Sequence, residues 1–259
     1  MGGGGNMLQA PSWYTQRWSR KCLQRCTCGG SKMLPLRLLC SLHLGRGFST
    51  GVTEASTVQE LLMVVGLGNY SMAGTRHSVG MAVLNQLARR LNVADRWRAD
   101  RQSKADLVET QVDGMQLVLV KPRQFMNVNG ESVAKAAGKF NVIPENIYLL
   151  HDELSKPFGK VSLKLGGSAK GHNGVRSCIN YLQSDCMTRL LIGIGRPAGS
   201  SSVVGYVLEP FTRPEQETLP QVLELGVDTL LAHIRSRTSA GPAGSNGTIK
   251  NAESHSSKS

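Results

Sequence analysis

Four short polar clusters each follow an apolar run of the chain. Leu61–Val65 leads into Gly66-Leu67-Gly68-Asn69 and on to Thr75-Arg76-His77. Met115–Val120 leads to Phe125-Met126-Asn127, and Ile147–Leu150 to His151-Asp152-Glu153. Val161–Leu165 leads through Gly166-Gly167 to Gly171-His172-Asn173-Gly174. Histidine titrates near neutral pH and can take a proton from water. An aspartate beside it can fix its tautomer and raise its basicity. Asparagine offers a donor and an acceptor on one short stem, which suits it to gripping an amide or ester. The implied chemistry is direct attack by water that a histidine activates, with no covalent intermediate, cofactor or metal.

Missing motifs support that reading. There is no G-x-S-x-G elbow for a serine nucleophile and no G-x-x-x-x-G-K-[ST] phosphate loop. No histidine pair stands at i, i+4. Several residues carry a second reading. His151 directly follows an apolar run and reads as a hydrogen-bonded structural histidine. His172 could satisfy backbone groups of its glycine-rich loop, His77 could be an N-cap, Asn127 the N-cap of the next helix, and Met126 core.

The elements that must position these clusters alternate between strand and helix. Leu61–Val65 and Ile147–Leu150 are continuous apolar runs, as buried strands are. Ala105–Val112 and Met115–Val120 flank Asp113-Gly114, a hairpin signal. Val161–Leu165 alternates like a strand with one exposed face, and Leu190–Ile194 is a further strand. Val79–Val93 has apolar residues at helical spacing. Ser132–Phe140, Val175–Leu182 and Arg213–Ile234 also read as helices, the last with a break at Pro220, and Pro144 opens a short turn. The pattern predicts an α/β fold: a single domain with a mixed, twisted β-sheet covered by helices on both faces, three layers in all. In such sheets ligands bind beyond the carboxyl ends of strands.

The chain has 259 residues and a net charge of +12. Residues 1–53 hold seven Lys/Arg and no acid; the other 23 bases and all 18 acids lie in 54–259. An acid-free leader with Arg37 and Arg46 among leucines, ending in Arg46-Gly47-Phe48-Ser49, has the composition of a mitochondrial transit peptide. A cytoplasmic location with a plain extension is the alternative. Cys22, Cys26, Cys28 and Cys40 lack zinc-ribbon spacing. Residues 236–259 are rich in Ser, Gly and Asn, a disordered composition. The expected organisation is a leader over 1–57, a catalytic domain over 58–235 and a tail over 236–259. No apolar run is long enough to span a membrane. Between Lys156 and Arg196 stand seven bases and one acid, Asp185. Such a patch can attract a phosphate backbone.

These motifs together resemble those of the bacterial-type peptidyl-tRNA hydrolase family. The matching pieces are VVGLGN (64–69), TRHSVG (75–80), KPRQFMNVNGESV (121–133), HDEL (151–154), KLGGSAKGHNGVRS (164–177) and RLLIGIGRP (189–197). The resemblance implies hydrolysis of the ester between a peptide and the terminal ribose of tRNA. It implies His77 as general base, with Asp152 orienting it. Asn69, Asn127, Asn173, His172 and Met126 would line and grip the substrate. Lys164, Arg176 and Arg189 would meet tRNA phosphates. The expected partner is peptidyl-tRNA, and the protein is expected to be a monomer. The chain departs from the family pattern at two places. The usual Asn-Pro-Gly is Asn69-Tyr70-Ser71, with a shorter loop to His77, and Leu191 stands where a second basic residue is common. Two rival classes are a noncatalytic RNA-binding protein of the same fold and a dinucleotide-binding oxidoreductase. The latter lacks the third glycine, which is Ser71, and the acidic ribose partner near position 90.

Overall fold

The computed structural model describes residues 61–197 and 202–239. The leader, its four cysteines and the tail beyond residue 239 lie outside the described residues. Seven strands form one sheet: β1 (Leu61–Gly66), β2 (Arg98–Asp100), β3 (Ala105–Val112), β4 (Met115–Pro122), β5 (Ile147–Glu153), β6 (Val161–Leu165) and β7 (Thr188–Gly193). Their order is β2-β3-β4-β1-β5-β7-β6. The central β1 pairs in parallel with β4 and β5, and β5 with β7; β2, β3 and β6 join antiparallel to their neighbours.

The apolar runs are continuous because both faces of the central strands are covered. Leu62, Val64, Leu117, Leu119, Tyr148 and Leu150 face α1 (Val79–Arg90) and the last helix, α5 (Arg213–Ser239). Met63, Val65, Val118, Val120, Ile147 and Leu149 face α2 (Asn129–Phe140) and α3 (Asn173–Leu182). This is the expected α/β/α sandwich. The Asp113-Gly114 turn joins β3 to β4 with both residues at positive φ, 48° and 81°.

Four features depart from the expectation. An edge strand, β2, and a short helix, α4 (Val203–Leu208), are three and six residues long, too short for periodicity to reveal. The closing helix passes through Pro220 without ending and reaches Ser239, beyond the expected boundary at 235. Val222, Leu223, Val227, Leu230, Leu231 and Ile234 pack it on the sheet past that proline, and tertiary packing overrides local propensity. β5 runs on to Glu153, so His151 and Asp152 belong to the strand and not to the loop after it. β6 runs opposite to β7, and Val161, not Leu165, lies level with Asp152 through Ile192. The carboxyl end of β6 is therefore at the far end of the sheet. The loop after it must return about 13 Å, four residues of strand, to reach the other clusters.

Candidate active site

His77 is delivered by the loop after β1. Residues Arg76–Ser78 form a 3-10 turn that runs straight into α1. The helix can seat this close to β5 because position 80 is glycine: a Cβ there would stand 2.1 Å from the Leu150 carbonyl oxygen. Gly66 packs in the same way against α1, where a Cβ would meet the Gly80 carbonyl oxygen at 2.7 Å. The glycines of Gly66-Leu67-Gly68 thus serve strand–helix packing, not a phosphate.

Arg76 fixes the other side of this turn. Its side chain is buried. Its guanidinium donates to the Pro210 carbonyl at 2.8 Å and to Glu215 Oε2 at 2.7 Å, and lies 4.3 Å from the Tyr206 ring centroid. The Arg76 backbone N–H donates to the Glu209 carbonyl. The segment carrying α4 is thereby fastened to the residue preceding His77. Sequence reasoning did not single out Arg76, though it stands inside the quoted Thr75-Arg76-His77.

Asp152, at the end of β5, is 2% exposed. His77 Nδ1 and His172 Nε2 both lie 2.9 Å from its Oδ1. Burial alone would raise this carboxyl. The His172 and His77 rings against it prevail and hold it well below the usual carboxylate range. His172 caps α3, its Nδ1 accepting the Val175 N–H at 3.2 Å. That acceptor role leaves the ring proton on Nε2, where it points at Asp152. With Asp152 ionised, His77 donates from Nδ1, which leaves the Nε2 lone pair free for a proton. His151 lies beneath, its ring 4.5 Å from that of His172 and its Nδ1 2.7 Å from the Asp152 carbonyl oxygen. Burial, then the neighbouring His172, push His151 down to about 3, so it is a neutral, structural ring.

A cavity of about 680 Å³ opens over His77 and Asp152, lined also by Asn69, Met126, Asn127, His172 and Asn173. Asn69 Oδ1 accepts the Met126 N–H at 2.7 Å, which aims the amide nitrogen elsewhere and leaves it without a partner among the described residues. Met126 is buried and closes the floor; a Cβ at Gly174 would come within 2.3 Å of its sulfur. Asn127 is exposed at the cavity and caps nothing; the cap positions belong to Phe125 and Val128. Asn173 opens α3 and accepts from Arg176 at 3.2 Å. The exposed valines Val203 and Val204 of α4 form an apolar wall. Asn129, which sequence reasoning passed over, is fully buried and joins the two loops: its Oδ1 accepts the Gly68 N–H and its amide donates to the Phe125 carbonyl.

The basic residues separate into two groups. Arg189 is 2% exposed, and its guanidinium donates to the carbonyls of Ser168, at 2.7 Å, and Gly167. It is therefore not presented to a phosphate as expected. It holds the returning Gly166–Gly171 loop, whose three glycines all have positive φ. Lys164 is half-buried and Arg176 exposed. Burial, with Arg189 and Lys170 nearby, lowers the Lys164 ammonium. Lys170 and Arg196 line the cavity itself.

Among the described residues, His77, Asp152 and His172 form a group close enough to hold a cation, with ligand atoms within 4.8 Å of one another. His77 Nδ1 and His172 Nε2 already face Asp152 as hydrogen-bond partners, so a metal bound through those atoms would have to displace both contacts.

Comparison with known proteins places the chain in a family. The family profile described as Peptidyl-tRNA hydrolase matches residues 63–252. A probable peptidyl-tRNA hydrolase of Mus musculus is 55% identical over 194 residues, 75% of this chain and 95% of the relative. A peptidyl-tRNA hydrolase of Nocardia farcinica is 42% identical over 170 residues, 65% of this chain and 87% of the relative. The crystal structure of peptidyl-tRNA hydrolase from Acinetobacter baumannii superposes with a TM-score of 0.62 at 28% identity, over 69% of this chain and 91% of that one. On its sequence, its sheet and its relatives, the chain belongs to the peptidyl-tRNA hydrolase family.

Proposed function

We infer that this protein hydrolyses the ester of peptidyl-tRNA, with His77 as general base. The observation that carries the reading is the 2.9 Å contact of His77 Nδ1 with buried Asp152, which leaves Nε2 open to solvent in a cavity ringed by Asn69, Asn127 and Asn173. Water attacks the ester carbonyl carbon and gives its proton to His77 Nε2. The imidazolium that forms is stabilised by the Asp152 carboxylate. The amide N–H groups of Asn69 donate to the oxyanion or to the peptide carbonyl beside it. Collapse breaks the carbonyl–ribose oxygen bond, and the leaving ribose oxygen takes the proton back from His77. Asn173 and Asn127 position the peptide main chain, with Met126 against its side chain. No metal or cofactor takes part in these steps.

The tRNA backbone is held by charge. Lys170 and Arg196 line the cavity, Arg176 stands exposed on α3 and Lys164 lies on β6, and phosphate contacts made by such residues weaken as salt rises. A complete site within one chain is consistent with a monomer. The acid-free leader supports import into mitochondria, and a reporter fused to residues 1–56 tests it: diffuse cytosolic signal at full mass would refute import.

The activity itself is tested by incubating the purified full chain with a peptidyl-tRNA and following release of free tRNA. Release in the presence of a chelator is expected. Intact substrate at stoichiometric enzyme would refute the reading.

A further inference from the structure

The loop from Leu67 to Thr75 contains no proline and includes two glycines, one of them, Gly74, at φ 93°. The Asn69 backbone is held locally, its N–H donating to Ser78 Oγ at 3.1 Å and its carbonyl accepting from the Met72 N–H at 2.9 Å, and its side chain presents the donor on which the proposed chemistry depends. Tyr70 ties the loop outward, to the segment after β4 through its backbone and to the sheet through its side chain. Its N–H donates to the Gln124 carbonyl at 3.1 Å, and its hydroxyl donates to Asp106 Oδ2 at 2.9 Å. Asp106 is a buried acid on β3, two strands away from β1. Its cationic neighbours are farther: Arg123 at 3.4 Å and Lys121 at 3.8 Å. The Arg123 guanidinium lies 5.1 Å from the Tyr70 ring centroid and closes over it. Burial and then Asp106 raise the phenol, so the hydroxyl stays a donor.

We propose that Tyr70 is a positioning residue, whose hydroxyl tether to Asp106 holds the Asn69 carboxamide against Met126 and over the substrate ester. The two neighbours work as one clamp. Asn69 Oδ1 grips the Met126 N–H, and Tyr70 grips Gln124 and β3, so the tip of the loop is tied on both sides of the Gln124–Met126 segment. Without the outer tie, Asn69 keeps its own hydrogen bond but loses its fixed reach. The inference rests on the proposed function, since it assigns Tyr70 a part in that reaction.

The test is Tyr70→Phe in the full chain, which removes one oxygen and keeps the ring under Arg123. In peptidyl-tRNA hydrolysis, kcat/KM should fall about tenfold, the scale of one hydrogen bond to a charged acceptor. In an Asn69→Ala background the same change should cost less than about twofold, because the two residues act as a unit. A merely structural tyrosine would give equal losses in both backgrounds, and that result overturns the proposal. Hydrogen exchange over residues 67–76 is read in parallel and needs no activity. It should quicken in Tyr70→Phe while exchange in β5 stays unchanged. Unaltered exchange overturns the tether, and quickened exchange with an unchanged rate overturns its role in positioning. If the unaltered protein left peptidyl-tRNA intact, the functional reading would fail, while exchange would still decide the tether.

Discussion

Two histidine nitrogens meet on one oxygen: His77 Nδ1 and His172 Nε2 each lie 2.9 Å from Asp152 Oδ1. The arrangement is asymmetric in function although nearly symmetric in distance. His172 spends its remaining nitrogen on the Val175 N–H, whereas His77 keeps Nε2 free. His172→Ala should therefore lower kcat less than His77→Ala, and chiefly by loosening Asp152 and the start of α3. Steady-state rates of the two variants, with circular dichroism to confirm folding, check this ordering. Asp152→Asn should also fall between wild type and His77→Ala, since an asparagine oxygen still accepts from the ring.

His151 makes the fold sensitive to acid. Burial and His172 hold its folded value at about 3, below the roughly 6.5 of an unfolded histidine. Between these values the unfolded chain binds a proton that the folded chain refuses. Stability is fully present above about pH 6.5 and is lost as the pH falls toward 3. The depressed Asp152 carboxyl adds to the loss at the lower end, as it is forced to protonate. Urea midpoints should drop between pH 7 and pH 5, and a folded His151→Gln variant should show a shallower drop.

The Arg76 anchor predicts a coupled loss. Arg76→Ala removes hydrogen bonds to Pro210 and Glu215 and the stacking on Tyr206. Destabilisation of about 2–3 kcal/mol is expected, in line with hydrogen bonds to charged groups. Because the residue precedes His77 and secures the α4 wall, kcat should fall as well. Chemical denaturation alongside turnover measures both.

Salt dependence separates the basic residues. Lys164→Ala or Arg176→Ala should weaken tRNA binding and flatten its dependence on salt, with the logarithmic slope shallower by roughly one for each phosphate left unneutralised. Arg189→Met should leave that slope intact and instead loosen the Gly166–Gly171 loop, because its guanidinium is bound to the Ser168 and Gly167 carbonyls. Binding isotherms at several salt concentrations distinguish the two effects.

Much of this site was legible in the sequence because strand ends announce it. The apolar runs at Leu61–Val65 and Ile147–Leu150 locate two of the clusters directly, and the Asp113-Gly114 turn sets the hairpin. Strand direction was not legible. Nothing in Val161–Leu165 states that β6 is antiparallel, so the long return of the loop to His172, and the use of Arg189 to hold it, emerge only in three dimensions. Asn129 and Arg76 were hidden for a different reason. Their partners, Gly68 and Phe125 for one and Pro210 and Glu215 for the other, include residues remote in sequence. Leu191 lies buried in β7 on the row between His151 and Ser162, and Tyr70 reaches Asp106 across the sheet. The two family departures thus have definite structural surroundings.

The central claim is that His77 takes the proton from the attacking water. Single-turnover hydrolysis of peptidyl-tRNA by His77→Ala, compared with the unaltered full chain at saturating enzyme, tests it most directly. The account predicts a rate lower by roughly 10²–10⁴-fold, with tRNA affinity and fold retained. A folded His77→Ala protein that cleaves the ester at close to the normal rate would contradict it.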